Sequence, residues 1–225
     1  MTWRIHMQIS NDTLNILKNF ATINSNIVFR PGNKIATMAT AKNIFASATV
    51  TETFPKTVAV YDLNSLLTLF TLNDKCEVEF GDDSLKIGRN GGDFEYYYSD
   101  EKIVVSPPID KSIEVDNHFQ FKLSADDVQT IQKAIAITAS PHIFITSKLN
   151  QASLSIVDKK NPKSNNYKKI IGPSFEDFNV FFAVEIFKIV PDAYTVTLSK
   201  KKFLHFKNET KAIEYWLACD KDSVV

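Results

Sequence analysis

Along residues 10–24 (SNDTLNILKNFATIN), Leu14, Leu17, Phe20 and Ala21 recur at helical spacing and form one apolar stripe. Asn11 or Asp12 is placed to cap the start. The other face holds Asn15, Lys18, Asn19 and Thr22, with no carboxylate beyond the first turn. An ordinary solvated helix mixes Glu and Lys there; this face is neutral to basic. Around the helix the pattern changes to short apolar runs bounded by turn formers. These predict strands at 2–9, 27–30, 34–40, 44–50 and 58–61, with a turn at Pro31-Gly32-Asn33.

A second helix is predicted at 62–72, with Asp62 as N-cap and Leu63, Leu66, Leu67 and Phe70 as its stripe. Its polar face is Asn64, Ser65, Thr68 and Thr71, again without an interior carboxylate. Strands follow at 77–80 and 85–88, about the turn Gly81-Asp82-Asp83. Residues 99–117 hold Pro107-Pro108 and several charges, and read as the connection between two domains. Ile103, Val104 and Val105 are apolar for a linker, so an edge strand covering a core stays open as the alternative.

The pattern then restarts. A strand at 119–123 leads into a helix at 124–138, capped by Ser124, with the stripe Val128, Ile131, Ala134 and Ile135. Gln129, Gln132, Lys133 and Ala136 form its wet face. Strands are predicted at 142–146, 152–157, 179–182, 194–198, 204–207 and 214–218. A fourth, short helix is expected at 183–190, ending at Pro191 with Lys188 facing out. Strand, helix, strands, strand, helix, strands thus occurs twice, which predicts a duplicated α+β architecture with two helices per half. Acid stands at each helix start, where the helix dipole favours it, and Lys18, Lys133 and Lys188 lie later.

Composition narrows the function. The chain has 225 residues, enough for two domains, with 17 Phe and only 6 Gly, so filled apolar cores are expected. No apolar run reaches membrane-spanning length and no signal segment opens the chain, which predicts a soluble intracellular protein. Lys plus Arg and Asp plus Glu are 26 each, so the net charge is zero. A protein that grips DNA by affinity is usually strongly basic; any nucleic-acid contact here needs positive charge concentrated on one surface. Lysines on helix faces would touch phosphates without reading bases. Cys76 and Cys219 read as reduced buried thiols.

His6, His118, His142 and His205 lack ligand spacing, so no metal or other cofactor is expected. Asp82-Asp83 and Asp126-Asp127 read as turn and helix-start residues. The basic run 158–169 and Lys200-Lys201-Lys202 read as solvated loop and hairpin turn. Tyr96-Tyr97-Tyr98 reads as strand packing and Gly91-Gly92 as a turn. No nucleophile or acid–base arrangement appears, so no catalytic residue is assigned.

The blocks ISNDTLNILKNFATINS (9–25), VAVYDLNSLLTLFTL (58–72) and IVPDAYTVTL (189–198) resemble the sliding clamps of T-even-type bacteriophages, the DNA polymerase processivity factors. The register covers nearly the whole chain. EYWLACD (214–220) is similar to the C-terminal strand and tail of cellular clamps, with Cys219 in place of a proline. The resemblance implies the DNA-clamp fold, with two similar domains at 1–106 and 118–225 joined by a connector at 107–117. Each domain has two helices backed by antiparallel sheets, and three chains close a trimeric ring whose sheets pair edge to edge.

The resemblance further implies a non-enzymatic clamp that encircles duplex DNA without reading sequence and tethers the replicative polymerase. An ATP-driven clamp loader and late-transcription factors would be further partners, and the cytoplasm of an infected bacterium the setting. Lys18, Lys133, Lys188, Asn15 and Asn19 are then expected to face DNA. A pocket for partner peptides is expected at Ile103, Val104, Val105, Tyr215, Leu217, Ala218 and Cys219. A structural or assembly protein built from a duplicated α+β unit is the alternative.

Overall fold

A computed structural model describes residues 5–71, 77–89, 92–108, 113–161 and 163–225. The chain divides into two compact units, Met1–Lys111 and Ser112–Val225.

In the first unit, β1 (Ile5–Gln8) runs into α1 (Asn11–Ile23). The cap is Ser10, not Asn11 or Asp12: its hydroxyl oxygen accepts from the Thr13 N–H at 3.2 Å. Leu14, Leu17 and Phe20 are buried as the stripe predicts, and Thr13, Ile16 and Ile23 widen it. There follow β2 (Ile27–Phe29), β3 (Gly32–Met38), β4 (Ile44–Phe54), β5 (Val58–Val60) and α2 (Leu63–Phe70). Strand β3 thus begins inside the expected turn, at Gly32, whose φ of 111° suits a residue without Cβ. β3 pairs with β4, and β2 with β5, all antiparallel. Asp62 caps α2 as expected, accepting from the Ser65 N–H at 3.1 Å.

The unit closes with β6 (Glu77–Phe80), β7 (Ser84–Arg89) and β8 (Gly92–Tyr97), in an antiparallel sheet of order β1-β6-β7-β8. Gly92 lies in β8 and not in a turn. Both helices present their stripes inward, Leu17 and Phe20 on α1 and Leu63 and Leu66 on α2, each fully buried. Burying a Leu or Phe side chain stabilises by about 1.5–3 kcal/mol.

In the second unit, β9 (Phe119–Leu123) leads into α3 (Ala125–Thr138). Ser124 and Asp127 form a reciprocal capping box, each accepting from the other's N–H at 3.1 Å. Next come β10 (His142–Lys148), β11 (Gln151–Val157), β12 (Tyr167–Pro173) and β13 (Phe178–Ala183), in an antiparallel sheet of order β12-β11-β10-β13. Strand β12 was not expected; its first residues lie in the run read as a loop. A register shift at Ala152/Ser153 opposite Gly172, with φ of 139°, bends this pair. Finally β14 (Tyr194–Ser199), β15 (Phe203–Asn208) and β16 (Ile213–Ala218) join β9 in the order β16-β15-β14-β9.

The fourth helix is a correction. Residues 183–190 hold a single 3-10 turn, Val184–Ile186, with no side-chain cap. The segment is rich in β-branched residues and precedes Pro191, which disfavours helical backbone at Val190. Its carbonyls find other donors: Gln132 Nε2 reaches Ile189 at 3.0 Å and the Tyr194 hydroxyl reaches Val190 at 2.8 Å. Ile186, Phe187 and Ile189 are all buried, so the segment packs on more than one side.

Each unit therefore runs through strand, helix and four strands, then a helix or turn, then three strands. Among the described residues, no helix is long and apolar enough to cross a membrane. Cys76 lies outside the described residues.

Candidate nucleic-acid interface

On α1, Asn15 and Lys18 are exposed and Asn19 is half-buried, so one solvent face carries all three. Thr22 on the same face donates to the Asn19 carbonyl at 2.7 Å, which keeps its hydroxyl on the helix. The thirteen-residue helix is about 20 Å long at 1.5 Å per residue. On α2, Asn64, Ser65 and Thr68 face solvent. The Thr68 hydroxyl turns back to the Asn64 carbonyl at 2.9 Å. The acid of this helix is its cap, Asp62; the first turn itself has none.

On α3, Gln129, Lys133, Ala136 and Ile137 are exposed. Gln132 was expected on this wet face; it is half-buried and holds Ile189. Among the described residues, neither Lys18 nor Lys133 enters an ion pair. Both ammonium groups can therefore meet an external anion without first giving up a carboxylate. The acids of α3 stay at its start, where Asp127 binds Lys169 at 2.8 Å. Burial pushes the Asp127 carboxyl up, but bonds from Lys169 and Ser124 outweigh this and hold it below the usual carboxylate range.

Lys188 stands apart from these two lysines. It is half-buried, it follows the 3-10 turn instead of lying on a helix face, and its N–H donates to the Ile186 carbonyl at 2.9 Å.

The residues expected to take partner peptides are placed unequally. Ile103 is 60% exposed at the end of a 3-10 turn, Glu101–Ile103, capped by Asp100. Val104 is buried with Val28 and Ala59, which explains its apolar character: it covers a core as a turn residue, not as an edge strand. Val105 is half-buried, and its carbonyl accepts from Asn24 Nδ2 at 3.1 Å. In the second unit Tyr215 and Leu217 are fully buried and Ala218 is exposed. Burial pushes the Cys219 thiol up to about 12, so it stays protonated and unreactive at neutral pH.

Within the first unit, a groove of about 170 Å³ lies beside this segment, lined by Val28, Arg30, Lys34, Ala36, Phe45 and Pro107. Arg30 ties the groove to the segment, with Nη2 2.6 Å from Glu101 Oε1 and 3.4 Å from Ser106 Oγ. Asn24, the C-cap of α1, holds the segment to β3 by donating to the Met38 and Val105 carbonyls. The sequence reading named neither Arg30 nor Asn24. The one signal available was an Arg and an Asn ending otherwise apolar elements.

Comparison with known proteins completes the picture. A family model described as DNA polymerase processivity factor matches residues 10–100. The sliding clamp of Vibrio phage KVP40 is 27% identical over 95% of this chain and 99% of its own length. The sliding clamp of Enterobacteria phage T4 is 28% identical, covering 96% of this chain and 98% of its own. The chain is similar to T-even-type phage sliding clamps over nearly its whole length. The fold agrees: the A. fulgidus PCNA, solved with the C-terminal region of FEN-1, superposes with a TM-score of 0.69 at 15% identity, over 99% of this chain and all of that one.

These likenesses support a clamp that acts as a polymerase processivity factor. The solvent faces of its helices are polar and sparsely basic, with acid confined to their starts. Among the described residues no group of three His, Cys, Asp or Glu is placed to hold a metal.

Proposed function

We propose that three copies of the chain close head to tail around duplex DNA, with β8 of one copy set against β12 of the next. What supports this is the chemistry of two sheet edges. Among the described residues no strand pairs with the outer side of β8 or of β12. An open edge that also exposes apolar side chains invites another strand. On β8, Phe94 and Tyr97 are 44% and 64% exposed beside Asp93 and Glu95; on β12, Ile170 is 57% exposed beside Lys168 and Lys169. One edge is acidic and the other basic, so the two complement each other and not themselves. A contact between unlike surfaces makes a ring when its rotation closes.

Within such a ring, α1 and α3 face the duplex, with Lys18 and Lys133 as phosphate contacts and Asn15 and Asn19 as neutral neighbours. Lys188 contributes from its turn. A ring holds DNA by topology, so net neutrality and few lysines suit weak, salt-sensitive contact that permits sliding. The ring carries out no chemistry itself. Partner peptides of the polymerase, of an ATP-driven loader and of late-transcription factors dock in the first unit, beside 103–105, in the groove at Val28, Phe45 and Pro107. The setting is the cytoplasm of the infected bacterium.

Solution mass and topology test the ring together. A three-chain species should form and, once loaded, should stay on closed circular DNA and leave when that DNA is cut. A monomer at all concentrations, or equal retention on cut DNA, would overturn the reading.

A further inference from the structure

Leu149 and Phe175 are the most exposed large apolar side chains among the described residues, at 96% and 91%. They stand at one end of the sheet formed by β10 to β13, where the Ser174 N–H donates to the Asn150 carbonyl at 3.2 Å. The turn that presents Phe175 is firmly built. Ser174 is 6% exposed, and its hydroxyl donates to the Glu176 carbonyl at 3.1 Å. An aromatic ring held in water on an ordered turn loses little entropy when a partner covers it. Glu176 and Asp177 follow it, both exposed. Glu176 Oε2 lies 3.3 Å from His118 Nδ1, and Asp177 enters no ion pair among the described residues.

The groove of the first unit has the complementary chemistry. Val28, Ala36, Phe45 and Pro107 make it apolar, and Arg30 and Lys34 line it with positive charge. Arg30 already binds Glu101, whereas Lys34 is exposed and outside every ion pair among the described residues. In this chain Phe175 lies in solvent.

We propose that the Phe175 turn of one copy docks into the Val28–Phe45–Pro107 groove of another copy, with Glu176 and Asp177 against Lys34. The contact joins unlike surfaces, so it need not close on itself and can add copies beyond the ring. Turn and partner peptide need the same floor, so free clamp masks its own groove as its concentration rises; this consequence rests on the groove being the partner site.

Sedimentation of the full-length protein from low to high micromolar concentration tests the contact. Mass should rise beyond the ring with concentration in the wild type. Phe175→Ser and Lys34→Glu should each abolish the rise with unchanged melting, since both side chains are exposed. Lys34→Glu combined with Glu176→Lys and Asp177→Lys should restore it. A labelled synthetic peptide of residues 171–179 should bind wild type about tenfold more tightly than Lys34→Glu. Mass that stops at the ring at every concentration, or a rise unaffected by Phe175→Ser, overturns the proposal. So does a processivity defect in Phe175→Ser without self-association in the wild type, which would assign the turn to a foreign protein. Failure of the ring itself would show separately, as monomer in every variant at low concentration.

Discussion

Glu52 is 6% exposed beneath the start of α1, where Ser10 N–H and the hydroxyls of Thr13 and Thr51 donate to its carboxylate. Burial pushes this carboxyl up, but the bonds from Thr13 and Ser10 outweigh it and hold the group below the usual range. A carboxyl depressed in the folded state contributes stability above its unfolded value and loses it as pH falls through the folded one. Glu52→Gln keeps the shape and removes the charge. It should cost about 1–3 kcal/mol at neutral pH and flatten the loss of stability in acid, as read by thermal melting at both pH values. An acid limb as steep as that of the wild type would show that other carboxyls carry it. Asn24→Ala should likewise cost about 1–3 kcal/mol, because it leaves the Met38 and Val105 carbonyls without their donor; chemical denaturation measures this. The position of Glu52 was readable in part: it shares strand parity with Val50 and Phe54, both buried. Its donors, the Thr13 hydroxyl and the Ser10 N–H, 39 and 42 residues away in sequence, were not.

The helices divide between local and tertiary control. α1, α2 and α3 each have a periodic stripe and a polar cap, so stripe and onset were legible before any packing was known. Ser124→Ala should cost about 1 kcal/mol by opening the capping box, measurable as a lowered denaturation midpoint. Residues 183–190 have apolar positions at similar spacing, yet they form one 3-10 turn: the segment is rich in β-branched residues, runs into Pro191, and buries Ile186, Phe187 and Ile189 on more than one side. Lys188 therefore loses its expected helix face while Lys18 and Lys133 keep theirs. Replacing Lys18 and Lys133 together by Ala should leave the oligomer intact. It should flatten the salt dependence of DNA retention by at most about 0.9 log units per log unit of salt for each phosphate contact removed. Unchanged salt dependence and processivity would remove both lysines from the DNA contact.

For the whole molecule, the features that bear on the proposed ring are two of its sheet edges, β8 and β12. Lys168 on β12 and Asp93 on β8 are exposed and outside every ion pair among the described residues. Lys168→Glu should set acid against acid and weaken ring association by roughly tenfold or more; adding Asp93→Lys should recover it. Sedimentation of the two variants at matched salt reads both outcomes, and a double variant as weak as the single one would separate these residues from the subunit contact. The edge β12 was hidden because its opening continues a run of Lys and Asn that reads as a solvated loop.

By itself the sequence determined the elements with strong periodicity, the repeat of their order, the neutral-to-basic helix faces and the resemblance to phage clamps. Each of these depends on neighbours a few residues apart or on long matching blocks. Only the tertiary structure decided that Glu52 anchors α1, that Val104, Tyr215 and Leu217 are core, that 183–190 is not a helix, and that β8 and β12 lie at sheet edges. Those outcomes depend on which distant groups supply hydrogen bonds and which surfaces are left uncovered, and no local pattern records either.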